Sequence, residues 1–224
     1  MKLVIFDCDG TLVDSQAMIT ASLTKAFESQ KLAPPSHASM LSIVGLSLIN
    51  AMRKLAPDES EAQQEALADA YKAAFWAFRD AKTHEEPLFP GAKAVLDALH
   101  AHERIKLGIA TGKTRRGVDI LLQNHGLEGR FVTIQTADSA PSKPDPAMIL
   151  QAMQEAGIGP EDTVMIGDAT YDLDMANHAG VAGIGVAWGF HTVELLETCR
   201  PVSILREFNE LHAVLESVWA DYRA

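Results

Sequence analysis

Lys2-Leu3-Val4-Ile5-Phe6-Asp7-Cys8-Asp9-Gly10-Thr11 decides the fold. Residues 3–6 form an uninterrupted apolar run, and acid follows at once. Buried parallel strands read as continuous apolar runs, because both faces are covered. Four further runs of the same kind occur at 105–110, 131–135, 163–166 and 183–186. Helical periodicity lies between the later ones, at 91–101, 115–125, 146–156 and 171–179. Alternating strands and helices imply an α/β fold: a doubly wound, Rossmann-like parallel sheet with helices on both faces.

Residues 15–83 break that rhythm. They carry helical patterns at 17–30, 47–56 and 60–82, interrupted at Pro34-Pro35, and no convincing strand. The simplest division is a core of residues 1–14 and 84–224 with a helical insertion at 15–83. A closing helix is expected over 203–219. Charge follows the same division. The insertion holds seven Lys/Arg and seven Asp/Glu, so the whole net charge of −11 falls on the core. Most of that acid suits a solvated surface, but a site needing carboxylates would also lie there.

Composition narrows the function classes. Of the 224 residues 47% are hydrophobic and 22% charged, as in ordinary globular chains. An acidic balance argues against nucleic acid, whose phosphates select basic surfaces. The two cysteines, Cys8 and Cys199, form no metal-type spacing and fit a reducing, cytoplasmic setting. No run approaches the roughly 18 apolar residues that span a membrane.

The strand ends carry the chemistry, since ligands of open α/β sheets bind at the carboxyl ends of strands. Asp7 and Asp9 are two apart, so a continuing strand would put both on one face. Close carboxylates repel and need a cation or a shared proton. An Asp-x-Asp-Gly turn or calcium loop is the bland alternative, but Leu12 and Val13 follow where further oxygen ligands would be needed. The second run ends in Thr111-Gly112-Lys113. Thr111 suits a phosphate oxygen and equally suits a helix cap. Lys143 emerges between prolines in Ser142-Lys143-Pro144-Asp145-Pro146, placed for an anion, for the carboxylates themselves, or simply for solvent. The fourth run ends in Gly167-Asp168, with Asp172 one helical turn on; Asp168 could also be a helix cap. Hard oxygen ligands in this number favour Mg²⁺.

Taken in chain order, Asp7-x-Asp9-Gly10-Thr11, Thr111, Lys143 and Gly167-Asp168-x₃-Asp172 resemble the four motifs of the haloacid dehalogenase superfamily. The resemblance covers the whole chain, with the insertion where the cap of that superfamily's first subclass sits. It is nearest to the phosphoglycolate phosphatase-like branch. The resemblance implies a Mg²⁺-dependent phosphatase acting on a small phosphorylated metabolite, as a monomer or homodimer. Asp7 would be the nucleophile and form an aspartyl-phosphate, with Asp9 as general acid and base. Asp7, the Asp9 carbonyl and Asp168 would hold the metal, with Asp172 beside or behind it. Thr111, Gly112 and Lys143 would hold the phosphoryl group. Cys8, between the acids, should face the other way and serve packing.

The resemblance also separates alternatives. Dehalogenases of the superfamily lack an acid at the position of Asp9. The sugar phosphomutase branch places a cap histidine where this chain has Ile19. The phosphonate-cleaving branch needs a cap lysine, and neither Lys25 nor Lys31 has a matching context. Phosphoglycolate is the first-choice substrate, with pyrophosphate an alternative. Residues 44–47 are expected to face the site from the cap. Arg53 is a candidate partner for a substrate carboxylate, or else part of a solvated helix face. The non-enzyme alternative is a receiver-like phospho-acceptor module, which such an insertion disfavours.

Overall fold

The computed structural model describes residues 1–220; residues 221–224 of the expected core segment lie outside that part. A six-stranded parallel sheet has the order β3-β2-β1-β4-β5-β6. The strands are β1 (Lys2–Phe6), β2 (Ile105–Thr111), β3 (Phe131–Thr136), β4 (Thr163–Gly167), β5 (Ala182–Val186) and β6 (Ser203–Leu205). All five residues of β1 are buried, as expected of the central strand of a covered sheet. One face packs a large cluster including Val4, Phe6, Leu107, Ile109 and Ile166. The other packs Leu3, Ile5, Met148, Ile149 and Met165. Alternate residues of β1 thus feed opposite layers. Each fully buried aliphatic side chain contributes roughly 1.5–3 kcal/mol.

Four helices lie between β1 and the rest: α1 (Gln16–Ser29), α2 (His37–Leu41), α3 (Leu48–Leu55) and α4 (Glu61–Asp80). They enclose a core of their own, with Leu23, Phe27, Met40, Met52 and Leu67 buried. The later helices are α5 (Ala92–Ala101), α6 (Arg115–His125), α7 (Ala147–Ala156), α8 (Thr170–Ala179), α9 (Val193–Thr198) and α10 (Leu211–Val218). The expected closing helix over 203–219 is corrected. Its first residues form β6 beside β5, and only Leu211–Val218 are α-helical. Among the described residues no helix is long and apolar enough to cross a membrane.

The strand order reverses between β1 and β4, which lie side by side. A crevice opens beyond the carboxyl ends at such a switch point. Asp7 follows β1 and Asp168 follows β4, so the topology alone sets two acids at its mouth.

Candidate active site

One carboxylate oxygen each from Asp7, Asp168 and Asp172 lies within 4.8 Å of the others, and all three residues are buried. A single ammonium sits among them. Lys143 Nζ is 2.6 Å from Asp172 Oδ1 and 3.0 Å from Asp7 Oδ2, with its side chain fully shielded from solvent. Lys143 is therefore not a surface lysine; it pairs with the carboxylates.

Backbone and side-chain donors fix each acid. Asp7 Oδ1 accepts from the Cys8 N–H at 2.7 Å. Asp168 Oδ1 accepts from the Thr11 hydroxyl at 2.8 Å and Oδ2 from the Phe190 N–H at 2.9 Å. Asp172 Oδ2 accepts from the Ala169 N–H at 3.1 Å. Asp172, not Asp168, thus caps the start of α8, and Asp168 joins the acid cluster.

The charge does not balance. Burial pushes the Asp7 carboxyl up to about 7, reinforced by Asp172 and Asp9 and opposed by Lys143. Burial likewise holds Asp168 well above the ordinary carboxylate range, with Asp172 and Asp7 adding to it. Asp7 Oδ2 also has no well-directed hydrogen bond. Three buried carboxylates with one ammonium make a hard-oxygen set that a small divalent cation fits.

The Asp9 side chain is not part of this cluster. Its Oδ1 is 2.8 Å from Lys113 Nζ. Lys113 also pairs with Glu86 Oε1 at 2.8 Å, and Glu86 Oε2 pairs with Arg79 at 2.7 Å. Asp7 and Asp9, two residues apart in the chain, are thus held by different lysines. Lys113 and Glu86 were not among the residues expected from the sequence. Lys113 had a local signal, being next to Gly112; Glu86 had none.

Thr111 is fully buried and Thr114 takes the capping role, its Oγ1 accepting from the Gly117 N–H at 3.2 Å. Thr111, at the end of β2, accepts from the Lys113 N–H at 3.3 Å. The turn after β1 needs glycine at position 10. Gly10 has φ +79°, and a Cβ there would lie 2.2 Å from Asp168 Oδ2. Cys8 packs into the apolar cluster beneath the sheet, and burial, then Asp7 and Asp9, push its thiol up, away from thiolate chemistry.

The insertion closes over the strand ends. A Cβ on Gly112 would lie 2.7 Å from the Leu46 carbonyl oxygen and 2.9 Å from that of Gly45. Ser47 N–H donates to Ser142 Oγ at 2.8 Å, and Tyr171 Oη donates to the Ser42 carbonyl at 2.9 Å. Residues 44–47 therefore do meet the core at this site. Arg53 does not. It is exposed, donates to Glu61 at 2.9 Å and Asn50 at 3.3 Å, and lies outside the cavity that Asp9 lines. Of the two alternatives for Arg53, this arrangement is the solvated helix face. Ala51 and Met52 take the inward face of α3, and Arg53 follows on the outer one.

A Rossmann-like core bearing this acid cluster, with helices inserted after β1, defines a class, and comparison with known proteins agrees. The family model described as haloacid dehalogenase-like hydrolase matches residues 4–186. The chain is 32% identical over 215 residues to the phosphoglycolate phosphatase of Agrobacterium fabrum, covering 95% of this chain and 91% of that one. It is 31% identical over 220 residues to pyrophosphatase PpaX of Bacillus pumilus, covering 96% of each. The solved structure of a hydrolase from Pseudomonas syringae superposes with a TM-score of 0.85 at 25% identity, covering 97% of this chain and 99% of that one. The chain belongs to the haloacid dehalogenase-like hydrolases. Within that family it is a phosphatase.

Proposed function

We propose that this phosphatase is Mg²⁺-dependent, hydrolyses small-molecule phosphate monoesters through an aspartyl-phosphate on Asp7, and draws its specificity from the helical insertion, residues 15–83. The observation that carries the reading is the buried Asp7, Asp168, Asp172 and Lys143 cluster at the switch point. Mg²⁺, held by Asp7, the Asp9 carbonyl and Asp168, would supply charge neutralisation for the transferring phosphoryl group.

The chain's own residues do the rest. An Asp7 carboxylate oxygen attacks phosphorus, and the ester P–O bond breaks. Asp9 gives its proton to the leaving oxygen, which departs as an alcohol. In the second half Asp9, now a carboxylate, takes a proton from water as that water attacks phosphorus. The acyl-phosphate bond breaks, giving inorganic phosphate and the Asp7 carboxylate. Lys143, Thr111 and the Gly112 N–H hold the phosphoryl oxygens, and Asp172 keeps Lys143 in place at 2.6 Å. Lys113 orients the Asp9 carboxyl.

The name of the Agrobacterium relative supports phosphoglycolate, and that of the Bacillus relative supports pyrophosphate. Both substrates carry a second anionic group, and Arg53 is not placed to receive it.

Release of inorganic phosphate from alkyl and aryl phosphates, with Mg²⁺ and after chelation, tests this reading. Turnover should vanish with EDTA and return with Mg²⁺, and Asp168→Asn should raise the Mg²⁺ concentration giving half activity. Undiminished turnover in EDTA would refute it.

A further inference from the structure

A cavity of about 540 Å³ lies between the helical insertion and the core, with Asp9, Gly112 and Lys113 on its core side. Its volume falls in the range of roughly 300–1,000 Å³ typical of sites for organic ligands. Glycolate alone would leave most of it unfilled.

Much of the wall given by the insertion is apolar and aromatic. Leu23, Leu46, Met52, Tyr71, Phe75 and Trp76 line it. Three of these are rings from one helix, α4. Tyr71 and Phe75 stack at 6.1 Å, and Phe75 and Trp76 meet edge to face at 5.6 Å. The Phe75 ring centroid is 5.6 Å from Lys113 Nζ, which ties it to the lysine that holds Asp9. Trp76 is covered from the core by the Arg116 guanidinium, 3.9 Å from its ring. The rings are thus fixed by contacts on both sides of the cleft. Such prearranged rings give large apolar contact at low entropic cost.

The charge of the lining points the same way. Asp9, Glu65, Asp69 and Asp138 bring four carboxylates. Among the described residues its two lysines both have acid partners: Lys72 pairs with Asp69 at 3.0 Å, and Lys113 with Asp9 and Glu86 at 2.8 Å each. Within this lining a leaving group carrying a carboxylate or a second phosphate would meet more acid than base, the guanidiniums of Arg79 and Arg116 lying over the rings instead.

We propose that the alcohol released by this phosphatase is uncharged and carries an aromatic or heteroaromatic ring, seated against Phe75 and Trp76 while its oxygen lies at Asp9. The proposal rests on the phosphatase reading above. It makes α4 the specificity-determining element and leaves the core to the phosphoryl group.

The test compares kcat/KM, with Mg²⁺ present, for esters of similar leaving-group acidity: 2-phenylethyl phosphate, ethyl phosphate and phosphoglycolate. 4-Nitrophenyl phosphate serves as an intrinsically reactive control. The ring-bearing ester should exceed both others by at least about tenfold. Phe75→Ala and the bulk-preserving Phe75→Leu should each cut its preference over ethyl phosphate by about five- to tenfold, chiefly through KM, as expected for one lost aromatic contact. Equal or faster turnover of phosphoglycolate overturns the proposal; it would mean that exposed Lys72 leaves Asp69 to meet the ligand. An unchanged preference ratio in both Phe75 variants, each folded by circular dichroism, also overturns it. If no ester is hydrolysed, the nitrophenyl control included, the phosphatase reading fails and this proposal with it. If only the ring preference is missing, the phosphatase reading stands.

Discussion

Lys143→Met removes the one ammonium from the acid cluster while keeping most of the apolar stem. In the wild type its Nζ lies 2.6 Å from Asp172 and 3.0 Å from Asp7, with no solvent on any partner to take over. Removing one member of a buried pair costs about 3–5 kcal/mol, because the remaining charge is left uncompensated. The lower end applies where Asp7 escapes by taking up a proton, and burial already pushes its carboxyl up to about 7. For a chain of this size each kcal/mol shifts Tm by about 2–4 °C, so Tm in EDTA should fall by roughly 6–20 °C. Mg²⁺ should then recover more stability in the variant than in the wild type, since a second cation relieves the same repulsion and bound ligand stabilises by mass action. Differential scanning fluorimetry across a Mg²⁺ series, at neutral pH, reads both effects. A fall in Tm under about 2 °C in EDTA, or a Mg²⁺ increment no larger than in the wild type, would refute the reasoning.

Gly112→Ala should lower kcat/KM by about a hundredfold, because the insertion can no longer seat on the strand end and small displacements of reacting groups are costly. Its Cβ would lie 2.7 Å from the Leu46 carbonyl, and kinetics with a folding control checks this. Arg53→Ala should leave kcat/KM within about twofold for every ester, its exposed pair with Glu61 being a surface salt bridge. Glu86 is shielded, and although burial alone would raise its pKa, Lys113 and Arg79 hold it below the ordinary value. Its stabilisation is therefore present above the unfolded pKa of about 4.3 and is lost as pH falls through the lower folded value. Glu86→Gln should be less stable at neutral pH and should lose less on acidification, measured by urea unfolding at several pH values.

Much of this site was legible because its parts are local. Continuous apolar runs mark buried parallel strands, and the acid, hydroxyl or glycine that ends each run stands at the carboxyl end where the crevice opens. Asp7, Thr111 and Asp168 could be placed that way. The cap assignments could not, since Thr111 and Thr114 or Asp168 and Asp172 compete within one turn, and only hydrogen bonds decide between them. The tie from Asp9 through Lys113 to Glu86 joins positions far apart in the chain, and no period records it. β6 was hidden because three residues are too short to show a strand pattern ahead of a helix. The two alternatives for Arg53 stayed open because its charge does not record the phase of α3, which turns Met52 inward.

The central claim is that Asp7 carries the phosphoryl group. Asp9→Asn should slow the second half of the reaction and, with 4-nitrophenyl phosphate and Mg²⁺, let the phosphoenzyme accumulate. Acid-quenched peptide mass spectrometry should then find one added phosphoryl group on the peptide bearing Asp7, and none when Asp7→Asn is added. Phosphate release without any such adduct, an adduct on another residue, or wild-type turnover by Asp7→Asn alone would contradict the account.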